Sequence, residues 1–267
     1  MIGRIRLVVA LGSVAVSTLA LVPLQLIAMK TRLWSEWHVL RLWHRANCRA
    51  LGFRIHQKGE LTEKRPLVVA ANHVSWTDIT VIGSRCDVSF IAKADMAAWP
   101  VIGWLSRLQR TIFIERERRR TSGKQASEIA RRLADGEAVV LFAEGTTGDG
   151  NLILPFKSTL FGAATMAISE GAVDKVYIQP LTIAYTRVQG MPMGRRDRPL
   201  AAWIGDTELA PHAAALLKEG AVDVELHFGE AIEFSAGDSR KEATRHAEAE
   251  VRSMLQTALG NPRPSKA

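Results

Sequence analysis

The sequence contains little of what metal centres, redox sites and nucleic-acid-binding surfaces are built from. Its two cysteines, Cys48 and Cys86, have neither metal-binding nor redox spacing, so we expect free thiols in a reducing compartment. Aromatic residues make up only 6% of the chain, and no nucleic-acid-binding module is recognisable, so we expect no nucleic-acid partner. A glycine-x-serine-x-glycine segment is also missing, which disfavours a serine hydrolase.

Acidic side chains are outnumbered by basic ones, and this imbalance indicates the kind of partner. The 267 residues carry a formal net charge of +8, and 47% of them are hydrophobic. Such a chain can bury the core of one domain with an appendage, and its surface attracts anions. Acidic lipid headgroups or an acidic carrier protein are therefore the expected partners.

Charged residues are absent from residues 7–29. A helix of that length would reach roughly 34 Å, which is enough for a hydrocarbon core of about 30 Å. We predict a membrane anchor over residues 1–33. A cleavable signal peptide is disfavoured because the apolar run is long and Lys30-Thr31-Arg32 is a poor cleavage site. Whether the anchor spans the bilayer or enters one leaflet stays open, since Pro23 permits a kink.

Residues 34–52 combine tryptophans at positions 34, 37 and 43 and a leucine at 40 with arginines at 41, 45 and 49. This pattern predicts an interfacial amphipathic helix, with indole rings and arginines among the lipid headgroups. Packing of an ordinary amphipathic helix on the globular domain is the alternative, and both can hold together. Arginines are denser after the apolar run than before it, so we expect the bulk of the chain on the cytoplasmic side of the inner membrane.

Residues 53–260 alternate short apolar runs with helical patterns, ahead of a predicted flexible tail at 261–267. Strands are predicted at 66–71, 87–92, 111–115, 138–143, 176–185 and 223–228. Helices are predicted at 75–83, 96–108, 122–134, 158–170 and 240–259. The alternation predicts an α/β fold, in which a mixed sheet is flanked by helices.

Four predicted strands are followed by polar residues: Asn72-His73, Lys93, Arg116 and Glu144. Sites in α/β folds collect at the carboxyl ends of strands, so these residues mark the candidate site. His73 and Asp78 can form a base and its orienting carboxylate if the histidine lies on the turn before a helix. The alternative is structural, because Ser75-x-x-Asp78 matches a capping box. A metal site is disfavoured, since third and fourth ligands are missing.

Five segments between residues 66 and 185 resemble, in order, the conserved blocks of the lysophospholipid acyltransferase family. They are NHVSWTD (72–78), RTIFIER (110–116), FAEGTT (142–147), LPFKSTLFGAA (154–164) and YIQPLTIAY (177–185). One block would be a weak signal, but five in the family's order are specific. The resemblance implies an acyltransferase of membrane lipid synthesis, without a cofactor, that moves a fatty acyl group from a thioester to a free hydroxyl of a lyso-lipid.

The same resemblance implies a role for each matching residue. His73 would take the proton from the acceptor hydroxyl and Asp78 would orient it, with no acyl-enzyme and no nucleophilic role for Ser75. The residues implied in substrate binding are Asn72, Lys93, Arg116, Glu144, Gly145, Thr146 and Lys157. Of these, 144–146 correspond to the acceptor-binding turn, and the three cations would hold anionic groups of the acceptor or the acyl carrier.

Two residues of the third block depart from the family's pattern. Ala143 stands where the family commonly has proline, and Thr147 where it has arginine. That arginine is a natural partner for a phosphate group, so its loss puts lysophosphatidic acid in doubt as the acceptor unless Lys93, Arg110 or Arg116 replaces it.

The stretch FAEGTTGDGNLILPFKS resembles the lyso-ornithine lipid branch of the family. We therefore expect a lyso-aminolipid acceptor, with lysophosphatidic acid as the alternative. Acyl carrier protein and coenzyme A both stay open as acyl donors. A non-catalytic membrane-binding protein is a remote alternative, which the intact His73 and Asp78 disfavour.

Overall fold

The computed structural model describes residues 1–31, 33–114, 122–169, 172–205 and 207–260. The described helices are α1 (Ile2–Thr31), α2 (Glu36–Leu51), α3 (Thr77–Gly83), α4 (Ile102–Leu108), α5 (Ser122–Ala134), α6 (Gly162–Ser169), α7 (Leu209–Glu219) and α8 (Arg240–Gly260). The strands are β1 (Phe53–Lys58), β2 (Leu67–Ala71), β3 (Ser89–Lys93), β4 (Ile112–Ile114), β5 (Ala138–Phe142), β6 (Lys175–Val188), β7 (Met191–Pro192), β8 (Val222–Phe228) and β9 (Ile232–Ser235). The predicted site residue Arg116 and the predicted flexible tail at 261–267 lie outside the described residues.

These strands form one mixed sheet in the order β1-β8-β6-β2-β5-β3-β4, and β7 and β9 pair with β6. Neighbouring strands from β6 to β4 are parallel, whereas β8 runs antiparallel to β6. The central strands β2 (LVVAA) and β5 (AVVLF) are buried at every position, as parallel strands covered on both faces are. Because these strands are parallel, their carboxyl ends meet at one edge of the sheet.

Helices cover both faces of the sheet and define two apolar cores. Successive residues of β2 point to opposite sides, so that Val69 belongs to one core and Val68 to the other. The first core includes Leu51 of α2, Ile82 of α3 and Leu216 of α7. The second includes Leu133 of α5, Ala167 of α6 and Val251 of α8. The predicted fold class, an α/β mixed sheet flanked by helices, is confirmed.

The predicted continuous helix from Met96 to Leu108 is wrong. Residues Ala94–Ala98 form a 3₁₀ turn, and α4 begins only at Ile102. Pro100 explains the break, because the residue before a proline is disfavoured from the helical region. Trp99 is accordingly extended, with φ −68° and ψ 129°, and Val101 has a positive φ of 63°.

The sequence patterns also missed β1, β7, β9 and α7. The edge strand β1 reads FRIHQK, and only its first residue is buried, so no apolar run marks it. Tertiary pairing with β8 makes it a strand, since the register joins all six of its residues to Val222–His227.

The helix α1 is long and apolar enough to cross a membrane by length and composition, with a mean hydropathy of 2.3 in its most apolar stretch. It contacts the rest of the chain near both of its ends. The Arg6 guanidinium donates a hydrogen bond to the carbonyl oxygen of Glu219. The Gln25 amide donates to the carbonyl oxygen of Leu108 at 3.2 Å. Large apolar side chains on its other side are exposed, among them Val8, Val16, Leu19, Leu26 and Ile27.

The helix α2 packs between α1 and the sheet domain. The Trp43 indole donates to the Thr18 hydroxyl of α1 at 2.9 Å, and Arg41 forms an ion pair with Asp87. Trp34, just before α2, is exposed. The packing alternative therefore holds for one side of α2, and its place at the lipid interface stays a prediction.

Candidate active site

The candidate site lies at the carboxyl end of β2, where the chain leaves the sheet and turns into α3. Asn72, the first residue after the strand, is buried, and its amide pairs with the backbone of Ile183 in β6. Its Nδ2 donates to the carbonyl oxygen at 3.0 Å, and its Oδ1 accepts the N–H at 2.8 Å. These two hydrogen bonds extend the contact between β2 and β6. They also fix the backbone position of Asn72, which directly precedes His73. The role predicted for Asn72 in substrate binding stays a prediction.

His73 and Asp78 are in direct contact. The imidazole Nδ1 lies 2.8 Å from Asp78 Oδ2, and the carboxylate is fully buried whereas the His73 side chain is 19% exposed. A carboxylate accepts hydrogen bonds, so Nδ1 carries the proton and Nε2 keeps a free lone pair. The ring also stacks on Phe142 at the end of β5, with 3.9 Å between centroids and 15° between planes. This arrangement is that of a general base with an orienting acid.

The capping-box pattern accounts for part of what Asp78 does. Its Oδ2 accepts the backbone N–H of Ser75 at 3.0 Å, as the last residue of a capping box would, and that of Val74 at 2.7 Å. The structural and catalytic interpretations therefore coexist in one carboxylate. Ser75 itself is fully buried, and its hydroxyl has no hydrogen-bond partner among the described residues, so it is not placed to attack a substrate.

Glu144 lies behind the histidine. Its carboxylate is buried and accepts two backbone N–H groups, from His73 at 3.1 Å and from Leu154 at 2.9 Å. Burial raises the pKa of Glu144 to about 7, against the lowering effect of those two donors. The residue thus ties the His73 loop to the segment after β5, while its predicted contact with the acceptor stays a prediction.

The turn at 145–146 is the exposed part of the predicted acceptor site. Gly145 has a positive φ of 71°, which favours glycine, and a Cβ there would lie 3.0 Å from Lys157 Nζ. Thr146 and the Lys157 side chain are exposed, and the Lys157 N–H donates to the Ala143 carbonyl oxygen at 2.8 Å. The fold therefore brings Gly145, Thr146 and Lys157 together beside His73.

The other cations of the prediction lie farther along the sheet edge. Lys93 ends β3, which β5 separates from β2, and it forms a 3.2 Å ion pair with Asp95. The Arg110 guanidinium binds the carboxylates of Glu36 and Glu137, so it joins the start of α2 to the sheet domain. Two carboxylates leave Arg110 poorly suited to hold an acceptor phosphate.

Thr147, at the position where the resemblance implies arginine, bonds to the backbone of the segment that precedes α7. Its hydroxyl donates to the Trp203 carbonyl oxygen, and the Trp203 N–H donates to the Val74 carbonyl oxygen at 2.9 Å. The Gly148 N–H donates to the His73 carbonyl oxygen at 2.8 Å. At this position the chain therefore has a neutral side chain that connects two loops, and no charged group.

The sequence patterns indicated no role for Tyr185, although it is the last residue of the YIQPLTIAY block. Its hydroxyl lies 2.7 Å from Asp78 Oδ1 and 2.5 Å from the Thr77 hydroxyl. The one available signal was its alternation with Ile183, which places both on the same face of β6. That signal does not distinguish a core tyrosine from one that bonds to a carboxylate.

Within the described ranges no three His, Cys, Asp or Glu side chains come together as a metal site would require. Cys48 and Cys86 are free and buried. Burial raises their pKa values to about 11 and about 12, so both stay protonated thiols near neutral pH.

Comparison with known proteins identifies the family. The family model described as Acyltransferase matches residues 52–184, which include His73, Asp78 and the 144–147 turn. A lyso-ornithine lipid O-acyltransferase from Brucella abortus is 49% identical over 97% of each chain. Another from Rhizobium meliloti is 46% identical over 97% of this chain and 89% of its own length. The chain belongs to the acyltransferase family.

A crystal structure of another acyltransferase has a similar fold. The 1-acyl-sn-glycerophosphate acyltransferase of Thermotoga maritima matches this chain with a TM-score of 0.68 over the whole of both chains, at 20% identity. This likeness confirms the fold and, at that identity, carries no statement about substrate. The family membership confirms the predicted enzyme class.

Proposed function

We propose that this acyltransferase esterifies the free hydroxyl of a lyso-ornithine-type aminolipid with a fatty acyl group from a thioester of acyl carrier protein or coenzyme A. The observation that carries the proposal is the His73–Asp78 pair, in a chain that shares almost half its residues with two lyso-ornithine lipid O-acyltransferases over nearly its whole length.

The chemistry follows from the free lone pair on His73 Nε2. This atom takes the proton of the acceptor hydroxyl while the oxygen attacks the thioester carbonyl carbon. The tetrahedral intermediate then collapses, the carbon–sulfur bond breaks, and the imidazolium returns its proton to the leaving thiolate. A base positioned in this way contributes about 10²- to 10⁴-fold in rate, and the buried Asp78 carboxylate stabilises the imidazolium that forms.

The surroundings of Thr147 favour an aminolipid over a phosphate-bearing acceptor. A phosphate needs a cationic or multi-donor partner, and the Thr147 hydroxyl is already bonded to Trp203. Arg110 is already paired with two carboxylates. Exposed Lys157, beside Gly145, is suited to a single anionic group such as a headgroup carboxylate. Lysophosphatidic acid is the alternative acceptor.

The two N-terminal helices support a catalytic domain that rests on the membrane. The contacts of Arg6 and Gln25 with the domain are separated by about 28 Å along α1, since a helix rises about 1.5 Å per residue. A helix perpendicular to the bilayer with both contacts kept would draw the polar domain into the hydrocarbon, which is costly. We therefore infer that α1 lies along one leaflet with its exposed apolar side in the lipid, at the cytoplasmic face of the inner membrane.

The decisive experiment supplies the purified protein with one lyso-lipid at a time and a radiolabelled acyl thioester, in mixed micelles. We expect labelled ornithine lipid from lyso-ornithine lipid, and little phosphatidic acid from lysophosphatidic acid. Parallel reactions with acyl carrier protein and coenzyme A thioesters identify the donor. Exclusive turnover of lysophosphatidic acid would contradict the proposed acceptor, and a His73→Ala preparation gives the background rate.

A further inference from the structure

We propose that Tyr185 is a positioning residue for acyl transfer: its hydroxyl fixes the rotation of the Asp78 carboxylate and thereby the orientation of the His73 imidazole. The inference rests on the proposed function only in taking His73 as the base. Tyr185 lies on β6, whereas His73 and Asp78 belong to one continuous loop and helix. A residue distant in sequence would therefore tune the pair.

The hydrogen bonds of Asp78 show what Tyr185 adds. Three of them reach Oδ2, from His73 Nδ1 and from the N–H groups of Val74 and Ser75. The bond from Tyr185, at 2.7 Å, reaches Oδ1. A carboxylate has about four acceptor sites, and those on Oδ2 are filled from the carboxylate's own segment. Tyr185 is the partner from another element. By holding Oδ1 it restrains rotation of the Asp78 carboxylate.

The direction of each hydrogen bond follows from the number of hydrogens. Tyr185 has one hydroxyl hydrogen, and a charged carboxylate oxygen that cannot donate is its stronger acceptor. The Thr77 hydroxyl, 2.5 Å from the phenol oxygen, must then donate to Tyr185. The result is a one-way chain from Thr77 through Tyr185 to Asp78, which also accepts from the imidazole.

Burial makes this chain independent of solvent. Thr77 and Asp78 have no exposed surface and Tyr185 is 1% exposed, so water does not compete for these bonds. Burial and the charge of Asp78 raise the pKa of Tyr185 well above its usual value, which keeps the phenol protonated and donating near neutral pH.

Packing alone does not explain a tyrosine here. A phenylalanine would fill the same space in the apolar cluster to which Tyr185, Val81 and Leu181 belong. The sheet is also irregular at this point, because the β6–β8 register shifts between Tyr185 and Arg187. Such bulges re-aim side chains near active sites, and this one accompanies a phenol that reaches the catalytic carboxylate.

The test is Tyr185→Phe, measured as the pH dependence of kcat and as KM for donor and acceptor. We expect kcat to fall about 10-fold at the optimum with both KM values within about twofold, because orientation of the base is lost and binding is not. The negative charge of Asp78 would then be concentrated towards His73. We therefore expect the acid limb of the profile to move to higher pH, by about half a unit.

Tyr177→Phe is the matched control. Tyr177 is the other of the two tyrosines in the sequence, lies on the same strand, and contacts Lys64 and Lys175 rather than Asp78. It should leave kcat and the pH profile unchanged. Tyr185→Phe leaves the Thr77 hydroxyl without its partner. The double variant Tyr185→Phe with Thr77→Val removes that hydroxyl as well, so it should be more stable than Tyr185→Phe but have the same low kcat.

Two outcomes would overturn the inference. One is a Tyr185→Phe enzyme with kcat within twofold of the parent and a superimposable pH profile. The other is a loss of kcat that the double variant restores together with stability, since that loss would be one of folding. Failure of the proposed function is separate: His73→Ala would then retain transfer, whatever Tyr185→Phe does.

Discussion

Among the described residues there are three histidine–carboxylate pairs, and two of them have the same length but lie in different places. His73 Nδ1 is 2.8 Å from Asp78 Oδ2, and His227 Nε2 is 2.8 Å from Glu225 Oε2. The first pair stands on the loop after β2, with the imidazole 19% exposed. The second lies within β8, where the imidazole is 5% exposed and Lys58 of β1 also approaches Glu225, at 3.5 Å.

The difference shows that the pair alone does not make a base. In the second pair the histidine uses Nε2 for the carboxylate and is buried. In the first pair Nε2 has no hydrogen-bond partner among the described residues and the ring stacks on Phe142. Three parallel strands also bring polar groups to the same edge. The two pairs differ in the exposure of the imidazole and in which ring nitrogen bonds to the carboxylate. Both properties depend on where the chain leaves the sheet.

The largest effect expected from this comparison is that of removing the first imidazole. His73→Ala should lower the initial rate of acyl transfer about 10³-fold, since no other described group replaces the base. The protein should stay folded and membrane-bound. His227→Ala is the matched control, and it should keep the rate within about threefold while lowering the free energy of unfolding by about 1–3 kcal/mol.

An equal loss of rate in both variants would mean that the exposure of the imidazole does not decide which histidine acts as the base. Labelled acyl thioester and thin-layer separation of the product give the rates. Circular dichroism and vesicle flotation check folding and membrane binding.

The next effect concerns the two carboxylates. Asp78→Asn should reduce kcat about 10²-fold or more, because an amide cannot stabilise the imidazolium and can reverse the tautomer. Glu225→Gln should leave kcat nearly unchanged and lower stability, because His227 and Lys58 lose their anionic partner. Equal losses of kcat in the two variants would contradict the assignment of Asp78 as the orienting acid and Glu225 as a structural one.

The last effect is on the pH dependence of stability. Two buried glutamates, Glu144 and Glu225, should contribute to it in opposite directions. Burial raises the pKa of Glu144 from 4.5 to about 7. Its contribution to stability is therefore full below pH 4.5 and is lost as the pH rises through about 7, by up to roughly 3 kcal/mol. For Glu225 burial acts to raise the pKa, but His227 and Lys58 outweigh it and the pKa is lowered.

The contribution of Glu225 is consequently present above its unfolded pKa and is lost as the pH falls through its folded value. Urea unfolding of Glu144→Gln and Glu225→Gln between pH 4 and 8, each compared with the parent, checks both signs. We expect Glu144→Gln to gain relative stability towards high pH and Glu225→Gln to gain it towards low pH. Parallel curves for the two variants would contradict this assignment.

Much of the fold was predictable where local and global preferences agree. The buried strands β2 and β5 consist of apolar residues at every position, so their pattern predicts them correctly. The break before α4 was also encoded, since Pro100 restrains Trp99, yet the helical spacing of apolar residues concealed it. The edge strand β1 was not predictable, because pairing with β8 rather than an apolar face makes it a strand.

The candidate site was predictable to the same degree. The order of polar residues after the strands placed His73, Lys93 and Glu144 at one edge. The spacing of Asp78 allowed either a catalytic or a capping role, and the resemblance favoured the catalytic one. No pattern indicated that the Asn72 amide pairs with Ile183 or that Thr147 bonds to Trp203. Those contacts join residues more than 50 positions apart, and sequence spacing holds no information about them.

The sequence by itself determined the acyltransferase family, the apolar N-terminal helix and the spacing of His73 and Asp78, because each depends on residue order within a short segment. The tertiary structure decided which histidine keeps an accessible nitrogen and which carboxylate accepts a hydrogen bond from Tyr185. It decided these because burial and hydrogen bonding depend on which strands become neighbours. That arrangement is set by the packing of the whole sheet.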